Sequence, residues 1–127
     1  MRSVDTNVLV RLVTRDSPSQ VDAAEEFVAR GVWVSHLVLA EVTWVLQSVY
    51  ERSPEDVAAA VEMLLSHQQV TLQDSEVVVA AVESFRKRPS LGFSDCLVLE
   101  VARKAGHLPL GTFDRVLSKL DGATRLA

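Results

Sequence analysis

The sequence predicts an α/β domain, a central parallel sheet with helices on both faces, and three observations predict it. Short apolar runs such as Val32-Trp33-Val34 alternate with longer stretches in which apolar residues recur every three or four positions. Proline and glycine fall between these segments rather than inside them. The 127 residues, 48% of them hydrophobic, suffice for one core and leave no room for a second domain, so residues 1–127 are read as a single unit. Strands separated by helices require right-handed crossovers, which make the sheet parallel.

Each element follows from local signals. A first strand at about residues 2–5 ends on Asp5, and Asn7 to Val13 continues as a short apolar helix. Ser17-Pro18 opens a helix whose inner face is Val21, Ala24, Phe27 and Val28, and Gly31 stops it. Val32 to Ser35 reads as a strand buried on both faces. A helix over about 36–50 follows, with Val38, Val42, Val45, Leu46 and Val49 as its stripe. Ser53-Pro54 opens the next, with Val57, Val61, Leu64 and Leu65 inward, and Val70 to Leu72 is a strand. Asp74 is expected to cap a helix ending at Arg88, and Gly106 closes a helix that begins at Phe93 or Ser94. Leu108 to Gly111 and Thr124 to Leu126 complete the strands, with a small helix after Asp114.

The net charge of −4 and a pI near 5.3 exclude a protein that holds nucleic acid mainly through a broad basic face. Bound metal ions can still present positive charge to a phosphate. The single cysteine, Cys96, lies in an apolar helical pattern and is expected in the core. Asp5 interrupts what would have to be the apolar stretch of a signal peptide, and no apolar run approaches the ~20 residues of a membrane span. A cytoplasmic protein with no membrane contact is the expectation.

Four acids carry the chemistry. In parallel sheets, ligands bind beyond the carboxyl ends of the strands, where Asp5 and Asp114 are expected. Asp5, Asp95 and Asp114 each have a second reading, because an aspartate at a helix or turn start caps free N–H groups. Glu41 is expected on or beside the buried stripe of its helix, where an ionised carboxylate needs a cation. If the sheet gathers all four at one edge, their repulsion requires a metal. An oxygen-only donor set selects a hard ion, Mg²⁺ or Mn²⁺. Such a site suits phosphodiester hydrolysis, in which the metal polarises a phosphoryl oxygen and lowers the pKa of a bound water. His36, His67 and His107 have no ligand spacing.

Val4-Asp5-Thr6-Asn7-Val8-Leu9-Val10-Arg11-Leu12 resembles the opening of PIN-domain nucleases, particularly VapC-type toxins of prokaryotic toxin-antitoxin modules. Leu39-Ala40-Glu41-Val42-Thr43-Trp44 resembles their second acidic motif, Phe93-Ser94-Asp95-Cys96-Leu97 the third and Gly111-Thr112-Phe113-Asp114-Arg115 the last. The resemblance covers nearly the whole chain in order. It implies a Mg²⁺- or Mn²⁺-dependent endoribonuclease whose acidic set is Asp5, Glu41, Asp95 and Asp114. Thr6, Asn7, Ser94 and Thr112 would hold the carboxylates or the attacking water. It also implies an RNA substrate, a homodimer and a cognate antitoxin that covers the active-site groove.

Arg11, Arg15 and Arg115 follow the acidic motifs and are the candidates for phosphate contact, ahead of Arg86-Lys87-Arg88 in the last turn of a helix. Trp33 and Trp44 are expected in the core or an interface rather than as a base-stacking surface. Three other readings compete. A receiver-like signalling domain lacks its adjacent acidic pair, its phosphoacceptor after a central strand and its late lysine. A phosphatase forming an aspartyl-phosphate would want an aspartate where Asn7 stands. A catalytically inactive binding module of the same fold is disfavoured by the presence of all four acids.

Overall fold

The computed structural model describes residues 1–127. Strands β1 (Arg2–Ser3), β2 (Val32–Val34) and β3 (Val70–Leu72) form a parallel sheet in that order, with Arg2 opposite Val32 and Val34 opposite Leu72. The crossovers are helices α1 (Thr6–Thr14) and α2 (Pro18–Val28) before β2, and α3 (His36–Ser48) and α4 (Pro54–Ser66) before β3. Helices α5 (Ser75–Lys87) and α6 (Phe93–Ala105) follow. The chain ends in β4 (Leu110–Thr112), a 3₁₀ turn (Leu117–Lys119) and β5 (Ala123–Arg125).

All strands are parallel, as expected, but they divide into two sheets. β4 pairs only with β5, Thr112 opposite Arg125. The physical reason lies in β1, whose two residues are both exposed and whose outer edge offers too short a ladder to draw β4 in. The strand β2 is buried on one face only. Val32 and Val34 point inward while Trp33 is exposed, the period-two alternation of a half-solvated strand.

The core joins the sheet to the helices through Leu9, Val28, Val34, Leu39, Leu46, Val57, Leu64, Phe85, Phe93 and Leu99, all essentially inaccessible. Phe85 of α5 and Phe93 of α6 meet edge to face, with centroids 6.0 Å apart and planes at 85°. Cys96, in the first turn of α6 after Phe93, is fully buried, and burial, with Asp95 and then Glu100 adding negative charge, pushes its thiol up to about 11. On α3 the buried face is Leu39, Val42, Thr43 and Leu46, with Val38 and Val45 packed at its margin. Val49 lies past the helix end and is exposed, contrary to its place in the expected stripe.

Caps follow the sequence signals in part. Ser53 Oγ accepts the Asp56 N–H at 3.1 Å with Pro54 in the first turn, and Gly106 ends α6 at a φ of 82°, which an L side chain rarely adopts. Ser17 precedes α2 without a side-chain capping bond. Asp74 precedes α5 but does not cap it; its φ is 40°, and its carboxylate instead accepts from Lys104 Nζ at 2.9 Å. A lysine one helix away outcompetes a backbone N–H for a carboxylate because both partners are charged.

Candidate active site

Asp5 follows β1 in extended backbone and starts α1, its Oδ1 accepting the Val8 N–H at 3.3 Å. The side chain is exposed, and only one of its two oxygens takes part in this bond. Capping and metal ligation therefore need not compete, because a carboxylate has four lone-pair positions.

Glu41 stands in the second turn of α3. It is exposed and has no hydrogen-bond or ion-pair partner. The expectation that it lies on the buried stripe is corrected: Leu39, Val42, Thr43 and Leu46 fill the inner face, which turns position 41 outward. It lies between two exposed apolar side chains, Leu37 and Trp44, one helical turn away on either side.

Asp95 occupies the first turn of α6 and is half-buried. Its backbone N–H donates to the Gly92 carbonyl at 3.1 Å, and a Cβ built on Gly92 would lie 3.6 Å from Asp95 Oδ2 and 3.7 Å from Ser94 Oγ. Gly92 thus borders both polar side chains at the helix start.

Asp114 follows β4 by two residues, as Asp5 follows β1. Its Oδ1 accepts from the backbone of Val116 at 2.8 Å and of Leu117 at 2.9 Å, and Thr112 Oγ1 accepts the Asp114 N–H at 3.0 Å. Both carboxylates of this type end a strand and tighten the turn that follows.

The helices α1 and α6 both pack against α3, so Asp5, Glu41 and Asp95 are carried by one packed set of elements. Asp114 belongs to the other sheet. No three carboxylate, imidazole or thiol side chains come within reach of a single ion. The donor chemistry nevertheless fits a hard cation: all four groups are oxygen donors, each with at least one oxygen outside any hydrogen bond.

Of the neighbouring polar residues, Thr6 is buried at the start of α1, Asn7 is exposed and Ser94 is half-buried. Only Thr112 bonds a candidate acid, and it does so through the backbone amide. Arg11 is engaged inside the molecule, its guanidinium donating to Asp16 at 3.1 Å, Tyr50 at 2.8 Å and Gln20 at 2.5 Å. The Tyr50 hydroxyl in turn holds the Asp16 carboxyl below its ordinary value, aided by Thr14 and Arg11. Arg15 pairs with Glu25, and Arg86 with Glu62. Arg115 makes no ion pair.

A model of the PIN domain family matches residues 3–123, which include all four acids. The chain belongs to the PIN-domain family. The PIN domain is also similar in structure to VapC20 of Mycobacterium tuberculosis, a toxin that cleaves the sarcin-ricin loop, with 20% sequence identity and a TM-score of 0.44 over 93% of each chain. No curated protein matches it. No helix of this PIN domain is long and apolar enough to cross a membrane.

Two features of the PIN domain lay outside the sequence reading. The imidazole Nε2 of His36 is buried without a hydrogen-bond partner, while its backbone N–H donates to Gln73 Oε1 at 2.8 Å. Phe113, between Thr112 and Asp114, is 72% exposed. Nothing in the sequence signals this, because exposure depends on how the second sheet docks.

Proposed function

We propose that this PIN domain is a metal-dependent endoribonuclease and the toxin of a type II toxin-antitoxin module. The observation that supports it best is the family match, whose span contains Asp5, Glu41, Asp95 and Asp114 in order. These four carboxylates are the proposed donors to Mg²⁺ or Mn²⁺, which would have to draw them closer than they stand, since no three lie within reach of one ion. When bound, such an ion supplies Lewis-acid stabilisation of phosphoryl charge and an activated water.

The chain's own residues do the remaining work. Asp5 and Asp114, held by the turns they cap, each keep a second oxygen free for an ion. Glu41 and Asp95 contribute from helices packed on one another. Thr6, Asn7, Ser94 and Thr112 would orient these groups, and Arg115 would meet a substrate phosphate. Arg11 and Arg15 would have to leave Asp16 and Glu25 to do the same.

The partners follow from this reading: RNA in the cytoplasm, a cognate antitoxin whose addition suppresses the same cleavage, and a second copy of the chain. Exposed Val98 and Val101 on α6, beside α3 with its exposed Trp44, support a homodimer. Val98→Glu would place a charge on that face and should convert a dimer to a monomer in sedimentation equilibrium. A wild-type chain that sediments as a monomer at micromolar concentration would end the dimer reading.

The function is tested by incubating structured RNAs with the wild-type chain and Asp5→Asn, each in Mg²⁺, in Mn²⁺ and in excess chelator. Cleavage is expected only for the wild type with metal. Cleavage that survives the chelator, or that Asp5→Asn retains in full, would reject the metal-centred reading.

A further inference from the structure

The terminal unit of β4, the 3₁₀ turn and β5 carries Asp114, while Asp5, Glu41 and Asp95 stand on the main body of the domain. Whatever holds this unit in place therefore sets how far Asp114 stands from the other three acids. Part of the hold is apolar. Leu117 is buried in the main core, with Leu110, Val116, Leu120 and Ala123 packed against it. Burial of this kind is strong but non-directional, so it keeps the unit on the body without fixing its orientation.

The directional part rests on one side chain. No hydrogen bond or ion pair joins residues 108–127 to residues 1–106 except those of Arg103. Its Nη2 donates to the Asp121 carbonyl at 2.6 Å and its Nη1 lies 3.9 Å from Asp121 Oδ2. On the other side, Nε donates to Glu100 Oε1 at 3.1 Å, and the Glu100 side chain is only 11% exposed. A guanidinium is a planar, rigid fork of donors, so seating Nε on Glu100 decides where Nη2 points. Gly122 permits the close approach: its φ is 92°, and a Cβ there would stand 3.2 Å from both Arg103 Nη1 and Leu108 Cδ1. The Gly122 carbonyl accepts the N–H of Leu110 at 2.8 Å, which starts β4, and β4 leads through Thr112 to Asp114.

We propose that Arg103 is the positioning residue for Asp114: seated on Glu100, its guanidinium ties the terminal unit to the helix that presents Asp95 and so sets the separation of the two carboxylates. This rests on the reading of Asp95 and Asp114 as metal ligands. Arg103 acts through the backbone of Asp121 and Gly122 and is not itself a ligand. Its neighbour Lys104 provides the contrast, since it pairs with Asp74 and Glu76 and so ties α6 to the start of α5 rather than to the terminal unit.

The test uses the full chain and compares Arg103→Met, Lys104→Met and Asp114→Asn with the wild type. Mn²⁺ binding is followed by the electron paramagnetic resonance signal of the free ion, and amide hydrogen exchange is measured in excess chelator. Arg103→Met should weaken Mn²⁺ binding by about tenfold, the lower end of what outer partners of a metal ligand are worth. The sign is diagnostic, because losing a positive charge without losing position would tighten a cation. Lys104→Met removes the same charge from the next position of α6 and should not weaken binding. In Arg103→Met, exchange should speed at the Leu110 and Leu126 amides, which close the terminal unit, while β2 and β3 keep their protection. Glu100→Gln, which neutralises the seat of the guanidinium, should speed exchange in the same unit and carries the test if Arg103→Met does not fold. Binding that is unchanged or tighter in Arg103→Met but weaker in Asp114→Asn would overturn the positioning role and leave the metal site standing. Unchanged binding in Asp114→Asn would remove Asp114 from the site and the role of Arg103 with it. Exchange that speeds equally in all strands would make Arg103 a general support of the fold and overturn the role. A wild type that binds no Mn²⁺ would overturn both readings.

Discussion

Replacing Asp95 by asparagine is expected to lower RNA cleavage by at least about a hundredfold, since even groups that only support a metal ligand are worth about 10- to 100-fold. The substitution is nearly isosteric and keeps one carbonyl oxygen, so it removes charge rather than shape. Its cost to the fold is small by comparison. An acidic side chain in the first turn of a helix stabilises by about 0.3–1 kcal/mol through the dipole, and Asp95 makes no side-chain hydrogen bond that asparagine would lose. The two effects separate cleanly: single-turnover cleavage should collapse while the urea midpoint shifts slightly. A companion change, Glu41→Ala, should weaken Mn²⁺ binding with even less effect on stability, because Glu41 is exposed and unpaired. Equal cleavage rates for the wild type and Asp95→Asn at equal folded fraction would remove Asp95 from the catalytic set.

What could be read from sequence here follows a physical divide. Periodicity and punctuation located the six helices and five strands to within a few residues because those signals are local: Ser53-Pro54 starts a helix and Gly106 stops one wherever the rest of the chain goes. The parallel sense of the strands followed from the helices between them. The split into two sheets did not follow, because it depends on how far β1 extends, and Ser3 to Asp5 reads as strand until the turn capped by Asp5 ends it. Glu41 shows the same limit at residue scale. Its spacing from Val38 and Val45 placed it near the apolar stripe, but those two valines are at the margin of the buried face and Leu39, Val42 and Leu46 are its centre. A shift of one position in the centre of a helical stripe turns a residue through 100°, enough to exchange core for solvent. The cations divide in the same way. Sequence proximity to the acidic motifs favoured Arg11 and Arg15, whereas their occupation by Asp16 and Glu25 depends on where α2 and Tyr50 fall.

Phe93→Ala is expected to destabilise the domain by about 3–5 kcal/mol, the usual cost of emptying a buried phenylalanine site. Against a total of about 5–15 kcal/mol for a domain, that brings the chain near its unfolding threshold. The ring is 1% exposed and meets Phe85 edge to face at 6.0 Å, so the loss combines transfer, cavity and aromatic terms. Phe85→Ala empties the other half of the same contact and should cost a similar amount. The double variant should fall short of the sum by about 0.5–1.5 kcal/mol, because the pair interaction can be lost only once. The two single variants should differ in function. Phe93 is the first residue of α6 and lies two positions before Asp95, whereas Phe85 sits in the last turns of α5. At a temperature where both remain folded, Phe93→Ala should therefore lose cleavage per folded molecule by loosening the turn that carries Asp95, and Phe85→Ala should lose less. Urea titration and single-turnover cleavage on the same samples separate these effects. A loss of under about 1 kcal/mol in Phe93→Ala would show that the ring is not packed in the core. Equal specific activity in the two variants would show that the core contact supports the fold without positioning Asp95.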